Sequence, residues 1–283
     1  MRAVAVGGGH GTAVTLRALR LLTDEVTGIV SVADNGGSSG RLRAMLDVAA
    51  VGDLRKCLSA LADPRNPLAQ HFEHRYSAGE LEGHAVGNLL LAGLVDATGN
   101  LETSVAVVGR LLEITGRVLP AATEGVTLVA RTGEGRTVGQ TEVSASASIY
   151  RIMTEPRSVA APESAREALL RADLVVIGPG SLFTSVLAAC VVPGIGDALA
   201  RTGARRVLVT NLHEQVPETA GYSPSDQLAA VQRHGVGVDV VLVNSGSEVQ
   251  LDGPETVVAD LAGPNGRVHD PEKLARALGG LVA

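Results

Sequence analysis

Val4-Ala5-Val6-Gly7-Gly8-Gly9-His10-Gly11-Thr12 decides how the chain is read. A short apolar run feeds four glycines within five residues. A helical pattern follows, with Leu16, Leu19 and Leu22 at three-residue steps and Val14 alongside. Strand, glycine turn, helix is how an α/β domain that meets a phosphate begins. Glycine permits a tight turn and a close approach to the main chain. The helix start offers unpaired N–H groups and the positive end of its dipole. An exposed anion gains about 0.3–1 kcal/mol there, enough to favour phosphate but not to hold a ligand alone.

Working outward, Gly28-Ile29-Val30-Ser31-Val32-Ala33 reads as a second, buried parallel strand that ends in the polar loop Asp34 to Arg43. Residues 53–62 read as a helix capped by Asp53. Gly83 to Ala92 opens a helix apolar nearly all round, which predicts an interior position. Leu101, Val105, Val108 and Leu112 predict a one-faced helix. Around 118–153 the pattern becomes strand, turn, strand, which predicts an antiparallel β-rich insertion at an edge or in a small lobe. Parallel strands resume at Ala172–Ile177, Val207–Thr210 and Val238–Val243, and a short helix follows Pro271. The expected fold is a single Rossmann-like α/β domain over 1–283, a mostly parallel sheet flanked by helices and carrying that insertion. In such a sheet the carboxyl ends of the strands line one crevice, where ligands bind. Loops 7–12, 34–41, 84–88, 178–185 and 211–222 should meet there.

The composition narrows the class. The chain has 283 residues, 45% hydrophobic and only 2% aromatic with no Trp, so the core must be aliphatic. Such a length buries roughly 75% of the unfolded surface. The net charge of −6, without a long basic block, argues against nucleic-acid binding. No apolar run reaches the roughly 20 residues of a membrane span. Cys57 and Cys190 lack metal or disulfide spacing and read as reduced packing residues, which with the missing signal sequence points to the cytoplasm. A sheet edge with apolar surface is consistent with a homodimer.

Residue chemistry then selects candidates. The first loop (Gly8, Gly9, His10, Gly11, Thr12) lacks both the dinucleotide fingerprint and the Lys of a P-loop, which disfavours an NAD-dependent dehydrogenase. In the second loop Ser38, Ser39 and the backbone at Gly37 could hold phosphate, with Arg41 or Arg43 pairing it. Asp34 could bind a sugar hydroxyl or a divalent ion. His84 and Asn88, four apart, share a helix face; His84 either binds phosphate or serves the helix start. Gly178-Pro179-Gly180-Ser181 repeats the strand, glycine, helix pattern and predicts a second anion site opposite the first, or a structural turn. Asn211 suits uracil or sugar hydroxyls, and Tyr222 could stack on a base. His71, His74 and His84 have no zinc spacing.

The order of these motifs carries a resemblance. Val-Gly-Gly-Gly-His-Gly at 6–11, Val-Ala-Asp-Asn-Gly-Gly-Ser-Ser-Gly-Arg-Leu-Arg at 32–43, Gly-Asp-Leu-Arg at 52–55, Gly-His-Ala-Val-Gly-Asn at 83–88, Ile-Gly-Pro-Gly-Ser-Leu-Phe-Thr-Ser at 177–185 and Glu-Thr-Ala-Gly-Tyr at 218–222 resemble the bacterial YvcK-type gluconeogenesis factor family, within the CofD-like superfamily of 2-phospho-L-lactate transferase. The resemblance implies a Rossmann-like, cytosolic protein required for cell shape and envelope growth on gluconeogenic carbon sources. It implies binding of a UDP-sugar, notably UDP-N-acetylglucosamine, and signalling to a protein target in carbon or cell-wall metabolism, rather than an established catalytic activity. Gly8, Gly9 and Gly11, then Asp34, Gly37, Ser38 and Ser39, then Asn88, Gly180, Ser181, Asn211 and Tyr222 match its ligand-side positions. The second loop usually reads Asp-Asp, and Asn35 here makes that site more neutral. Ala50, Val51, Val216-Pro217 and Gln227 are further departures. The alternative implied is a transferase of a phosphorylated group from a nucleotide-activated donor, with Mg²⁺ as candidate cofactor on Asp34 and with His84 handling a proton.

Overall fold

The computed structural model describes residues 1–247 and 253–282. The apolar runs become short, buried strands. β1 (Ala3–Gly7), β2 (Val26–Val30), β3 (Arg117–Pro120), β7 (Leu174–Ile177), β8 (Arg205–Val209), β9 (Val240–Asn244) and β10 (Glu255–Ala259) form one sheet in the order β10-β9-β8-β7-β1-β2-β3. Every adjacent pair is parallel. β4 (Thr127–Thr132), β5 (Gly135–Val138) and β6 (Ile149–Glu155) form a separate antiparallel sheet, ordered β5-β4-β6.

Helices α1 (Gly9–Arg20), α2 (Gly37–Leu46), α3 (Gly52–Leu61), α4 (Pro67–His71), α5 (Val86–Thr98) and α6 (Leu101–Leu111) belong to the first half of the chain. α7 (Gln140–Ser144) lies within the small sheet's connections. α8 (Glu163–Arg171), α9 (Ala188–Cys190), α10 (Pro193–Arg201), α11 (Pro224–Arg233) and α12 (Pro271–Gly279) follow. A π-helical segment, Leu182–Leu187, runs directly into α9. No single helix is long and apolar enough to cross a membrane among the described residues.

The core is aliphatic, as the missing aromatics require. Leu16, Leu19, Ile29, Leu54, Leu58, Leu91 and Leu112 are completely buried, and both phenylalanines, Phe72 and Phe183, join them. Each such side chain contributes about 1.5–3 kcal/mol. Cys57 and Cys190 are buried and unpaired. Burial raises both thiol pKa values, that of Cys190 to about 12, so they stay protonated packing groups.

Four readings change. β3 belongs to the parallel sheet, so the antiparallel insertion starts at β4 rather than near 118. β3 is Arg117-Val118-Leu119-Pro120, bounded by an arginine and a proline, so it lacks the continuous apolar run that declares parallel pairing. β10, Glu-Thr-Val-Val-Ala at the sheet edge with no residue fully buried, carried no strand reading. α5 buries Gly87, Asn88, Leu91, Ala92 and Val95, while Leu89, Leu90 and Leu94 are only half-buried, so it lies along the surface. Asp53 is not a cap; Val51 is, and Asp53 sits in the first turn of α3, turned elsewhere.

Candidate functional site

The strand order reverses between β1 and β7: the chain moves outward through β2 and β3, then returns to β7 and continues the other way. Ligands bind at such switch points, outside the carboxyl ends of the strands. The loops after β2, β1, β7 and β8 converge there.

The glycines of the first loop have unequal duties. A Cβ on Gly11 would lie 2.1 Å from the Pro179 carbonyl oxygen, so Gly11 lets the loops after β1 and β7 press together. Gly9, at φ +65°, makes the turn into α1, and the Thr12 hydroxyl donates to the Gly8 carbonyl at 3.2 Å. A Cβ on Gly8 would meet the Asp53 carboxylate at 2.6 Å and the Ser185 Cβ at 3.3 Å. Lys56 Nζ reaches within 3.9 Å of the Cβ position of Gly9. The glycine loop is thus faced by the first turn of α3, where Asp53 was expected only as a cap and Lys56 was not expected at all.

Those residues form a charged cluster with Asp34. The Lys56 ammonium donates to Asp53 Oδ1 at 3.1 Å. Asp34 Oδ1 accepts the Gly36 N–H at 2.8 Å, and a Cβ on Gly52 would meet the Ser39 hydroxyl at 2.3 Å and Asp34 Oδ2 at 3.3 Å. Burial raises the Asp34 pKa; the Gly36 N–H opposes this, the nearby Asp53 charge adds to it, and Ser39 and Lys56 oppose it. A second acid therefore stands near Asp34, supplied by α3 rather than by residue 35. Asn35 is occupied elsewhere: its Oδ1 accepts the Thr141 N–H at 2.8 Å and its amide donates to Glu142, fastening this loop to α7. Asp53-x-x-Lys56, a same-face pair, is the signal that marks this wall. Among the described residues no cluster of three or more His, Cys, Asp or Glu is placed to hold a metal.

Ser38, His84 and Asn88 make a buried network. The Asn88 amide donates to Ser38 Oγ at 2.9 Å, and Ser38 Oγ lies 2.9 Å from His84 Nδ1. Burial, then Arg41 and Arg75, lower the His84 pKa, which favours the neutral ring in this contact with Ser38. Asn88 Oδ1 is buried with no partner. Arg41 donates to the Glu82 carbonyl, and Arg43 to the Val126 carbonyl at 2.8 Å; both guanidiniums are engaged in holding loops. Gly37 is exposed at the start of α2, with open space around it.

The expected second anion site is filled by the protein itself. Glu218, 3% exposed, accepts the Phe183 N–H at 2.7 Å, the Thr184 N–H at 3.2 Å and the Thr184 hydroxyl at 2.8 Å. Its carboxylate occupies the start of the π-helical segment that Ser181 opens, where a phosphate was expected. Asn211 braces the same loop: its Oδ1 accepts the Gly180 N–H at 3.0 Å and its amide donates to the Gly180 carbonyl at 2.8 Å. Tyr222 is half-buried and meets Phe183 edge-on, ring centres 6.1 Å apart.

Beyond this loop lies a cavity of about 280 Å³ lined by His10, Gly180, Asn211, His213, Arg267 and His269, among others. His10 is exposed, its pKa lowered first by desolvation and then by Lys56. Burial drives His269 down to about 4; it is neutral and reaches the Thr210 carbonyl at 3.2 Å. His213 donates its Nε2–H to the Gly266 carbonyl at 2.8 Å, and Arg267 brings a cation from a segment far along the chain. The structure therefore brings His10, Gly11, Gly180 and Asn211 to one cavity, and Gly8, Gly9, Asp34 and Ser39 to the charged cluster beside it.

The chain matches the family described as 2-phospho-L-lactate transferase CofD over residues 3–270. It is 42% identical over 246 residues to a protein named gluconeogenesis factor from Halalkalibacterium halodurans, covering 85% of this chain and 76% of the relative. It is 39% identical over 244 residues to the gluconeogenesis factor of Bacillus subtilis, covering 84% and 77%. A crystal structure of a UPF0052 family member from Bacillus halodurans superposes with a TM-score of 0.92 at 36% identity, over 98% of each chain.

Proposed function

We propose a function from one premise: the chain belongs to the 2-phospho-L-lactate transferase CofD family, and its curated relatives are gluconeogenesis factors. Within that family it is a nucleotide-sugar-binding regulatory protein, with UDP-N-acetylglucosamine or a close relative as ligand. The observation that carries the reading is the cavity at the strand-order switch point, continuous in sequence with the glycine loop through His10 and Gly11. At about 280 Å³ it is small for a whole nucleotide sugar. One end of the ligand fills it beside His213 and Arg267, and the diphosphate extends over Gly8, Gly9 and Lys56. Occupancy would signal to a protein of carbon or cell-wall metabolism and so affect cell shape on gluconeogenic carbon sources.

Charge bookkeeping asks for a cation with the diphosphate. Asp34 and Asp53 outweigh Lys56 by one negative charge, which repels a bare diphosphate. Mg²⁺ fits this oxygen donor set, since it takes one or two carboxylates together with phosphate oxygens and water. Bound there, it would neutralise the phosphate charge. Asp34 and Asp53 would hold it, and the Lys56 ammonium would be left to pair a phosphate oxygen. Calorimetry with UDP-N-acetylglucosamine, with and without Mg²⁺, tests the reading: no heat up to millimolar ligand in either condition defeats it.

One observation favours a second reading, a transferase that moves a phosphorylated group from a nucleotide-activated donor. Asp53 supplies the second acid that residue 35 lacks, so the carboxylate pair needed for such chemistry is available. Product formation with Mg²⁺ that disappears in Asp34→Asn and His84→Gln, with ligand binding retained in the latter, would favour this reading over pure binding.

A further inference from the structure

The small sheet carries a cluster of cations that the crevice does not use. Arg131 on β4 and Arg151 on β6 are register partners, and both are exposed. Like charges directly opposite one another are unfavourable in a sheet. Glu155, the acid on the same strand, is bonded to Arg136 at 2.8 Å and relieves neither. Arg157, also exposed, follows β6 and donates to the Met153 sulfur at 2.8 Å, a weak acceptor for a guanidinium. Among the described residues none of Arg131, Arg151 and Arg157 has a carboxylate within ion-pair distance. All three line a groove of about 800 Å³ between the small sheet and α10, whose wall carries a single acid, Asp197. Ligand sites run roughly 300–1,000 Å³, so this groove has the size for a metabolite.

The groove also has an aromatic wall. β6 pairs Ile149 with Thr132 and Arg151 with Arg131, which leaves Tyr150 as the extra residue of a bulge. Bulges re-aim side chains. The Tyr150 ring is 60% exposed, lines the groove, and has Arg233 at 5.2 Å from its centre.

The cations fall into two positions. Arg131 and Arg151 stand side by side across the paired strands. Arg157 is tied to Met153, two residues along β6 from Arg151 and on the same face. Two residues of strand span about 7 Å. The two phosphates of a pyrophosphate share one oxygen and are too close together to fill both positions. Two phosphates at opposite ends of a sugar reach both.

We propose that this groove is a second ligand site, for a sugar or similar small frame that carries two separated phosphates. One phosphate pairs with Arg131 and Arg151, the other with Arg157, and Tyr150 packs on the carbon frame. Arginine suits both positions because its planar fork meets phosphate oxygens in pairs. The net charge of −6 leaves this face as a local exception on an acidic molecule, which favours a compact bisphosphate over a long polyanion.

The test is titration calorimetry with the whole chain at one ionic strength. Fructose 1,6-bisphosphate is the probe, with fructose 6-phosphate and pyrophosphate as controls. The proposal expects saturable binding of the bisphosphate, about tenfold or more tighter than either control. Arg131→Ala with Arg151→Ala should weaken it by about tenfold or more, Arg157→Ala by about tenfold, and Tyr150→Ala by about threefold. All are surface changes whose fold is checked by circular dichroism, and Lys56→Ala should bind the bisphosphate as the parent protein does. Pyrophosphate or fructose 6-phosphate binding as tightly as the bisphosphate overturns the two-position geometry. Affinity that survives the arginine changes overturns the site, and its loss in Lys56→Ala would place the ligand in the crevice instead. No binding of the bisphosphate at millimolar concentration overturns the proposal.

Discussion

The loops after β1 and β7 are written alike, strand, glycines and helix start, yet the protein treats them differently. After β7 the helix-start N–H groups are already satisfied by Glu218, a buried carboxylate from 34 to 35 residues away. After β1 the nearest carboxylate, Asp53, is bonded to Lys56. The helix start after β1 has no side-chain cap, whereas the one after β7 has an internal carboxylate. A glycine turn before a helix specifies affinity for negative charge, and the rest of the chain decides whether that charge is a ligand's or its own.

The contrast can be broken most severely at Gly11, the point where the two loops touch. Gly11→Ala would place a methyl group on the Pro179 carbonyl, and we expect a loss of about 3 kcal/mol in thermal or denaturant unfolding. Unchanged stability would mean that the loops are not pressed together. Next is Glu218→Ala, which strands two buried N–H groups and should cost about 2–3 kcal/mol. Phosphate should then stabilise this variant more than the parent protein in a thermal shift, because the vacated position becomes an anion site. An identical phosphate response in both would remove Glu218 from that role.

Lys56→Ala sharpens the comparison from the other side. It should lower UDP-N-acetylglucosamine affinity by about tenfold and change stability by less than about 1 kcal/mol. A loss of stability without loss of affinity would make Lys56 structural. The smallest effect concerns Asp34. Burial raises its pKa, so the folded chain binds this proton more tightly than the unfolded chain does. Its charge is therefore a penalty at neutral pH that fades as the pH falls through the raised folded value. Asp34→Asn should gain about 1 kcal/mol at pH 7 and less at pH 5, and should abolish any Mg²⁺-dependent stabilisation. In the parent protein that Mg²⁺ effect should itself fade toward acid pH, as Asp34 takes up its proton.

Much of the framework was legible. Val4 to Thr12, Leu174 to Ser181 and the apolar runs at β8 and β9 state a parallel α/β sheet in local sequence, because fully buried strands must be apolar throughout. The stripe Leu101, Val105, Val108 and Leu112 is buried as its spacing requires. β3 and β10 were not legible, since a strand bounded by Arg117 and Pro120 and an edge strand with no fully buried residue carry too little pattern to name a neighbour. The charged cluster was half visible. Asp34 and the glycines announce themselves, whereas Asp53 and Lys56 look like an ordinary first helical turn until α3 is seen packed on α1. Glu218 opens the Glu-Thr-Ala-Gly-Tyr motif, but its bond to Phe183 spans 35 residues, and no local pattern encodes which loop a carboxylate will reach. Arg41 and Arg43 have a second duty that their position beside a serine-rich loop does not announce: each donates to a main-chain carbonyl and holds a loop.

The central claim is that the open loop, its lysine and its paired acids receive the diphosphate of a nucleotide sugar together with a divalent cation. Titration calorimetry of the parent protein and Lys56→Ala with UDP-N-acetylglucosamine, each with and without Mg²⁺, tests it most directly. The account predicts saturable binding by the parent protein, tighter with Mg²⁺, and about tenfold weaker in the variant. Binding that ignores both Mg²⁺ and Lys56, or no binding at millimolar ligand, would contradict it.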